Sequence, residues 1–128
     1  MRLLLDTQIA LWALVDSARL GDLARGLIGD PANEVFVSSA SLWEIAIKHG
    51  LGRGDMPVSG RQAEQLFDAA GYRRLEISWR HAVAVEELPP IHADPFDRLL
   101  IAQALSEPMR LVSRDAMLAR YGAMVLPA

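Results

Sequence analysis

The sequence contains no cysteine among its 128 residues and no apolar run long enough to cross a membrane. Without cysteine, disulfide scaffolds, zinc fingers and iron–sulfur sites are excluded, and we expect a cytoplasmic protein. The first residues, MRLLLDTQ, reach an acid at position 6, which is too early for the apolar stretch of a secretory signal peptide. We therefore expect a protein that acts without contact with a membrane.

Basic residues are few. Thirteen Lys and Arg stand against 16 Asp and Glu, which gives a formal net charge of −3, and Lys48 is the only lysine. This balance argues against a protein that simply coats nucleic acid. Residues classed as hydrophobic make up 52% of the chain, which excludes a disordered segment and suffices for a buried core. We expect a single domain over residues 1–128.

Short apolar stretches alternate with helical patterns along the chain. Apolar residues spaced by three and four positions predict amphipathic helices, and Asp94 followed by Pro95 predicts a helix start. The alternation is typical of an α/β protein, a three-layer α/β/α sandwich around a mostly parallel sheet. The predicted strands span 3–5, 35–37, 75–77, 111–112 and 123–126, and the predicted helices span 9–15, 20–28, 42–50, 62–70, 79–88, 95–106 and 115–121, with a glycine-rich loop over 50–60.

Acidic and hydroxyl side chains lie at the carboxyl ends of the predicted strands. Because the carboxyl ends of parallel strands meet at one edge of the sheet, where the sites of such folds form, we expect these side chains to converge. They are Asp6 after the first strand, Ser38 and Glu44 after the second, Asp94 and Asp97 in the helix start before the fourth, and Asp115 after the fourth.

Four or five carboxylates without a matching lysine cluster repel one another strongly. A hard divalent cation such as Mg²⁺ or Mn²⁺ relieves this repulsion and prefers oxygen ligands. The chemistry that such a site supports is hydrolysis of phosphate esters. Asp6 is the hardest of these acids to explain structurally, because an acid at the end of a buried strand usually has a function, but the joint pattern is worth more than any single acid.

Single acids also have structural interpretations, which the sequence leaves open. The segment Ser41-Leu42-Trp43-Glu44 fits a capping box, and Glu44 can also pair with Lys48 four residues later. The other acids suit helix starts, with Asp94 and Asp115 as N-caps and Asp97 beside the positive end of a helix dipole.

Other motifs favour no competing chemistry. The glycine-rich segment 50–54 follows a helix rather than a strand, so it is not a dinucleotide-binding fingerprint, and the sequence contains neither a Walker motif nor a Gly-x-Ser-x-Gly elbow. The histidines lack metal-ligand spacing and are interpreted as surface or packing residues, whereas the tryptophans are interpreted as core or interface residues. These are His49, His81 and His92, and Trp12, Trp43 and Trp79.

Four segments together resemble the PIN-domain ribonucleases, and more narrowly the VapC-type toxins of bacterial toxin–antitoxin pairs. They are LLLDT at 3–7, SSASLWEIAIKHGLG at 38–52, HADPFDRLLIAQAL at 92–105 and LVSRD at 111–115, in the order that the family has them. The resemblance implies an α/β/α sandwich and an endoribonuclease that depends on Mg²⁺ or Mn²⁺.

The resemblance also assigns the site residues. The family's four acids fall on Asp6, Glu44, Asp97 and Asp115, and all are intact, which implies an active enzyme. Asp6 and Asp97 are expected to hold the metal most directly. Glu44 and Asp115 are expected to bind it directly or through water, and one of them to accept a proton from the attacking water. Supporting roles are expected for Thr7, Ser38, Asp94 and Ser113. Gln8 stands where relatives often have His, which affects no metal ligand.

Members of this family usually form homodimers and are inhibited by a small antitoxin that lies across the site. We therefore expect RNA as substrate and an antitoxin as partner. Operator DNA is expected only as a contact of the antitoxin, which agrees with the negative net charge of this chain.

Two other kinds of α/β protein carry acid clusters. A signalling receiver domain needs adjacent acids after its first strand and a lysine after its last, but Thr7 follows Asp6 and Lys48 is in a predicted helix. A phosphatase with an Asp-x-Asp motif is excluded by Gln8. The alternative that stays open is a catalytically silent binding or signalling module of PIN-like or receiver-like fold.

Overall fold

A five-stranded sheet forms the centre of the computed structural model, which describes residues 1–52 and 54–128. Arg53, in the predicted loop 50–60, lies outside the described residues. The strands are β1 (Arg2–Leu5), β2 (Glu34–Ser38), β3 (Arg73–Leu75), β4 (Arg110–Ser113) and β5 (Val125–Pro127). The helices are α1 (Thr7–Leu14), α2 (Asp22–Gly29), α3 (Ser39–Gly50), α4 (Gly60–Ala69), α5 (Trp79–Ala84), α6 (Pro95–Ser106) and α7 (Ala116–Ala119). No helix in the described ranges is long and apolar enough to cross a membrane.

Apolar layers cover both faces of the sheet. Leu3 and Leu5 of β1 pack on one face and Leu4 on the other, because side chains alternate along a strand, and all three are fully buried. Helices α1, α2 and α4 cover the first face, and α6 and α7 cover the second, with α5 packed on α6. Helix α3 contributes to both layers through Ile45 and Ala40. Burial on both faces explains why β1 is an uninterrupted apolar run in the sequence.

The strand order is β3-β2-β1-β4-β5, and every adjacent pair is parallel. The chain builds β2 and β3 outward from one side of β1 and then returns to place β4 and β5 on the other side. This reversal creates a topological switch point between β1 and β4, where ligands bind in open parallel sheets. Asp6 follows β1 and Asp115 follows β4, so both residues are placed at this crevice.

The predicted three-layer α/β sandwich is confirmed, but the bounds of several elements differ. The third strand is Arg73–Leu75 rather than 75–77, because two exposed arginines, which carry no apolar signal, pair with β2 ahead of the buried Leu75. The helix predicted to reach residue 88 ends at Ala84 and continues as a 3₁₀ turn, Val85–Glu87. The last strand is Val125–Pro127 rather than 123–126.

The tryptophans do not form part of the buried core. Trp12 is half-buried against one apolar layer, whereas Trp43 is 58% exposed and Trp79 is 91% exposed. The core interpretation is therefore wrong for Trp43 and Trp79. Their placement at an interface with another molecule stays a prediction.

Candidate metal and active site

Five carboxylates surround one open pocket of about 380 Å³ at the carboxyl ends of β1 and β4. The pocket brings together acids from four separate parts of the chain. They belong to Asp6, Glu44, Asp94, Asp97 and Asp115. Two basic side chains, of Lys48 and Arg114, line the same pocket, together with Thr7, Gln8, Ile9 and Met56. All five acids that the sequence analysis expected to converge therefore meet here.

Asp6 lies where β1 ends, and two uncharged donors hold its carboxylate. Oδ1 accepts the backbone N–H of Ile9 at 2.9 Å, which caps α1, and Oδ2 accepts the Ser113 hydroxyl at 2.5 Å. Asp6 is only 8% exposed, and burial raises the pKa of its carboxyl to about 6. The two hydrogen bonds lower this pKa, whereas repulsion from Glu44 and Asp115 raises it. Asp6 is thus held firmly, next to further negative charge.

Asp97 lies in the first turn of α6, where like charges surround it. Asp94 is the N-cap of this helix and accepts two backbone N–H groups, at 2.9 and 3.3 Å, which confirms its capping interpretation. Burial raises the pKa of the Asp97 carboxyl to about 6. Repulsion from Asp94, and then from Asp6 and Glu44, acts in the same direction, whereas contact with His92 lowers the pKa.

Glu44 projects from α3 and is almost fully buried, with both of its oxygens in contact with donors. The Thr7 hydroxyl donates to Oε1 at 2.6 Å, and the Lys48 ammonium lies 2.7 Å from Oε2. The hydroxyl oxygens of Thr7 and Ser41 are 3.0 Å apart. Because a carboxylate only accepts, the Thr7 hydrogen goes to Glu44, and Ser41 donates to Thr7. Two hydroxyl groups in series, from Ser41 through Thr7, therefore orient the Glu44 carboxylate.

The capping-box interpretation of Ser41 and Glu44 is wrong. Helix α3 begins earlier, at Ser39, and its N-cap is Ser38, whose hydroxyl accepts the backbone N–H of Ala40 at 3.0 Å. Glu44 therefore lies in the second turn, away from the helix start. The sequence pattern was ambiguous because Ser38, Ser39 and Ser41 stand close together, and a serine at any of these positions is a good N-cap. The alternative pairing of Glu44 with Lys48 is confirmed.

Ser113, the last residue of β4, connects two of the acids. Its hydroxyl donates to Asp6 and accepts the backbone N–H of Asp115 at 3.1 Å. Asp115 in turn caps α7 by accepting the backbone N–H of Met117 at 2.8 Å, as its N-cap interpretation predicted. The positions of Asp6 and Asp115 are therefore coupled through one buried hydroxyl.

Ser38, expected to support the acids, makes its contacts elsewhere. Its hydroxyl donates to Oε1 of the buried Gln103 at 2.5 Å. The Gln103 amide nitrogen lies 3.3 Å from Nδ1 of His81, whose Nε2 is 2.7 Å from a Glu107 carboxylate oxygen. Side chains alternate along β2, and Val37 packs in the layer that includes α1, so Ser38 faces the opposite layer, beside α6. Ser38 thus ties α3 to α6 rather than supporting the acidic pocket.

The donor set fits a hydrated divalent cation. The acids at the pocket offer carboxylate oxygens, the ligands that Mg²⁺ and Mn²⁺ prefer. Within residues 1–52 and 54–128, no three acidic or histidine side chains are arranged to hold a metal ion as they stand. Glu44 contributes to this result, because its two oxygens are already engaged by Thr7 and Lys48. Mg²⁺ keeps several waters and binds proteins through one or two carboxylates, so a closed cage of ligands is not required.

Two residues of this region were missed by sequence reasoning. Arg114 lines the pocket, and its guanidinium lies 5.5 Å from the centre of the Trp12 ring. Its position in the sequence, directly before Asp115, was the one signal that could have placed it there. His92, interpreted as a surface or packing residue, lies with Nε2 3.4 Å from Oδ2 of Asp97. No sequence pattern predicts this contact, because His92 lies in a loop whose path has no regular period.

Replacement of Asp6 by asparagine tests the electrostatic cost of the pocket. The raised pKa of Asp6 means that between about pH 4 and pH 6 the folded state keeps a proton that the unfolded state has lost, so stability falls as pH rises through this range. Asn caps a helix as well as Asp, and Asp6→Asn removes the charge. We compare the free energy of unfolding of the variant with that of the wild type in the absence of metal. We expect the difference, variant minus wild type, to be about 1–3 kcal/mol larger at pH 7.5 than at pH 4.

Urea unfolding in EDTA at both pH values measures this difference. Asp16→Asn, at an exposed acid of the loop between α1 and α2, is the control and should show no such gain. A difference between Asp6→Asn and wild type that does not change with pH would contradict the electrostatic account of the pocket.

Solved structures similar to this one are toxin–antitoxin complexes. VapBC2 from Rickettsia felis bound to a promoter DNA fragment matches with a TM-score of 0.67 and 16% sequence identity, over 100% of this chain and 98% of that chain. A toxin–antitoxin complex from Klebsiella pneumoniae matches with a TM-score of 0.64 and 18% identity, over 96% and 94% of the two chains. VapBC-1 from nontypeable Haemophilus influenzae matches with a TM-score of 0.64 and 18% identity, over 94% of this chain and 92% of that chain. At these identities the likeness concerns the fold.

The family relationship is shown by the sequence itself. No curated protein matches the chain. The family model of the PIN domain matches residues 3–124, a range that ends just before β5 and includes β2, β3, β4, nearly all of β1 and every acid of the pocket. The chain therefore belongs to the PIN domain family.

Proposed function

We propose that this protein is an endoribonuclease that uses Mg²⁺ or Mn²⁺ to hydrolyse RNA phosphodiester bonds, and that it is the toxin of a toxin–antitoxin pair. PIN domains are a family of nucleases. The observation that carries the proposal is the convergence of carboxylates on one pocket at the switch point of the sheet. The acids that the family resemblance assigns, Asp6, Glu44, Asp97 and Asp115, all line this pocket, which favours an active nuclease over a silent binding module.

The four acids would hold the cation from two sides. Asp6 and Asp115 follow neighbouring strands, and Glu44 and Asp97 project from helices α3 and α6. The bound cation supplies positive charge that offsets the carboxylates and the substrate phosphate, and it makes water more acidic. The protein's own part is to fix Asp6 through Ser113 and the α1 backbone and to keep Glu44 or Asp115 available as acceptor for a proton from water.

The basic side chains at the pocket suit a phosphate backbone. Lys48 lies beside Glu44, and Arg114 lies against the ring of Trp12 with one nitrogen donating to the Arg19 carbonyl at 2.6 Å. Both charges are therefore anchored at the pocket, where they can contact phosphate oxygens. An acidic pocket repels a polyanion in the absence of a cation, so substrate binding is expected to require the metal as well.

A small antitoxin is the proposed partner, and DNA would be contacted through it. The similar solved structures are complexes of this kind, one of them with promoter DNA. Helix α3, which carries Glu44, exposes Trp43 and Ile47, and Leu51 at its C-cap continues this spacing of four residues. Such an apolar stripe suits a protein partner, either the antitoxin or a second copy in a homodimer. We place the protein in the cytoplasm, where RNA and an antitoxin are found together.

Glu44→Gln tests the catalytic assignment of an acid that also has a structural role, the ion pair with Lys48. Gln keeps an acceptor for Thr7 but has no charge, so it neither binds a hard cation comparably nor takes a proton. We expect near-native stability and a loss of RNA cleavage of about 100-fold or more. Wild-type cleavage should stop in EDTA and return with excess Mn²⁺.

Glu64→Gln is the matched control for this experiment. Glu64 is also a helical glutamate paired with a basic side chain, Arg74 at 2.9 Å, but it lies on α4 away from the acidic pocket. Its replacement should leave cleavage unchanged. A Glu44→Gln protein that cuts RNA normally would remove Glu44 from the site, and wild-type cleavage that persists in EDTA would contradict the metal-dependent nuclease.

Two buried serines provide a second matched pair. Ser113 and Ser38 each end a strand and accept a backbone N–H two residues later, but only Ser113 contacts an acid of the pocket. We expect Ser113→Ala to weaken Mn²⁺ binding and cleavage by about 10–100-fold, as for other groups that orient metal ligands. We expect Ser38→Ala to cost about 1–3 kcal/mol of stability while Mn²⁺ binding stays native, because it removes a cap and the partner of Gln103. Calorimetric titration measures the Mn²⁺ affinity of each variant, and urea unfolding measures its stability. Native Mn²⁺ binding in Ser113→Ala together with weakened binding in Ser38→Ala would contradict the assignment.

A further inference from the structure

Nε2 of His92 is a buried side-chain nitrogen without a hydrogen-bond partner, and it is the one such side-chain atom found in the described ranges. Its nearest acidic neighbour is Oδ2 of Asp97 at 3.4 Å, which is longer than an N–H···O hydrogen bond. Buried polar groups without partners are rare and need an explanation. The His92 and Asp97 side chains are 13% and 23% exposed, so water reaches this contact only in part.

The position of the hydrogen on His92 follows from its other neighbours. Arg98 is held by the carbonyls of Pro89 at 3.0 Å and Val85 at 3.2 Å, and it donates to the Tyr121 hydroxyl oxygen at 3.1 Å. Because Arg only donates, the hydroxyl hydrogen of Tyr121 is available to His92, whose Nδ1 lies 3.0 Å away. A neutral His92 that accepts at Nδ1 carries its hydrogen on Nε2, and a protonated one also has a hydrogen there. In either state an N–H group faces Asp97.

The ring of His92 is also fixed in orientation. It packs edge-to-face on Tyr121, with ring centres 5.5 Å apart and planes inclined at 61°. The loop before α6 carries His92, and α6 itself carries Asp97 and Arg98. The series of side-chain contacts that begins at Arg98 and passes through Tyr121 and His92 therefore ends on the same helix, at Asp97. This closed arrangement directs one N–H group at one carboxylate oxygen of the acidic pocket.

We propose that His92 is a positioning residue that acts through Asp97, with its Nε2–H holding Oδ2 so that Oδ1 is presented to the divalent cation. This inference rests on the proposed function, because the cation is part of it. The 3.4 Å contact is a few tenths of an ångström beyond hydrogen-bond range, so a small rotation of the Asp97 side chain would suffice to form the bond. Hydrogen bonds from such outer groups orient metal ligands and commonly change metal affinity by about 10–100-fold. Tyr121 and Arg98 set the hydrogen on His92 and do not touch the pocket.

Four variants separate this role from simple packing. His92→Leu removes the N–H donor, and His92→Gln keeps an amide donor close to the position of Nε2. Tyr121→Phe keeps the ring that packs on His92 but removes the hydroxyl. Tyr72→Phe is the matched control, because Tyr72 is the other tyrosine of the chain and packs on Phe67 of α4.

The readouts are Mn²⁺ affinity, measured without RNA from the electron paramagnetic resonance signal of free Mn²⁺, and the ¹⁵N NMR signals of the three histidines. We expect His92→Leu to weaken Mn²⁺ binding at least tenfold, His92→Gln to restore most of the affinity, and Tyr121→Phe to weaken it several-fold, with Tyr72→Phe unchanged. In wild type the His92 spectrum should show hydrogen on Nε2, and Tyr121→Phe should shift the signals of His92 but not those of His49 or His81.

The possible failures are distinct. If wild type binds Mn²⁺ and His92→Leu binds it equally well, the positioning role is overturned while the nuclease proposal stands. A His92 spectrum with hydrogen on Nδ1 alone would also overturn it. If wild type binds no Mn²⁺, the proposed function itself fails, and the role of His92 fails with it.

Discussion

The structure depends on holding several mutually repelling carboxylates at one edge of a parallel sheet. The position of Asp6 is fixed in two ways. It directly follows the buried leucines of β1, which lies between β2 and β4, and its carboxylate oxygens accept hydrogen bonds from Ile9 and Ser113. A carboxyl with its pKa raised to about 6 costs folding up to about 3 kcal/mol at neutral pH. Burying a single leucine side chain contributes about 1.5–3 kcal/mol, so the apolar layers around β1 offset this cost several times over. The core thus permits a cluster of charges that repel one another, although Asp6, Asp94 and Asp115 also cap helices.

Position along the sheet decides which strand-end serine serves this cluster and which serves the scaffold. Ser113 and Ser38 each follow a valine of the α1 layer, so both face the layer of α6, yet one hydroxyl reaches Asp6 and the other reaches Gln103. The first contact links the ends of β1 and β4 at the switch point, where the acids meet. The second begins a buried polar network that continues through His81 to Glu107 and joins α3, α5 and α6. The two networks have similar chemistry, but they begin on opposite sides of β1.

The sequence specifies the fold and the acids well, because both depend on patterns with a fixed period. The buried run at residues 3–5 and the Asp94–Pro95 helix start gave correct elements, and the parallel topology brought the acids to one pocket. Local chemistry was less decisive. Three serines near the start of α3, Ser38, Ser39 and Ser41, were equivalent as caps, so the sequence left the capping interpretation of Glu44 open and the structure excludes it. Contacts made by irregular loops, such as that of His92 with Asp97, carry no periodic signal and emerge only from the structure.

Direct location of a cation tests the central claim, that the acidic pocket exists to bind one. Crystals soaked in millimolar Mn²⁺ and measured near the manganese absorption edge would reveal bound metal by its anomalous scattering. The account predicts a strong peak in the pocket beside Asp6 and Asp97, and no peak there in crystals of Asp6→Asn. Anomalous density only at other surface acids, with an empty pocket in the wild-type protein, would contradict it.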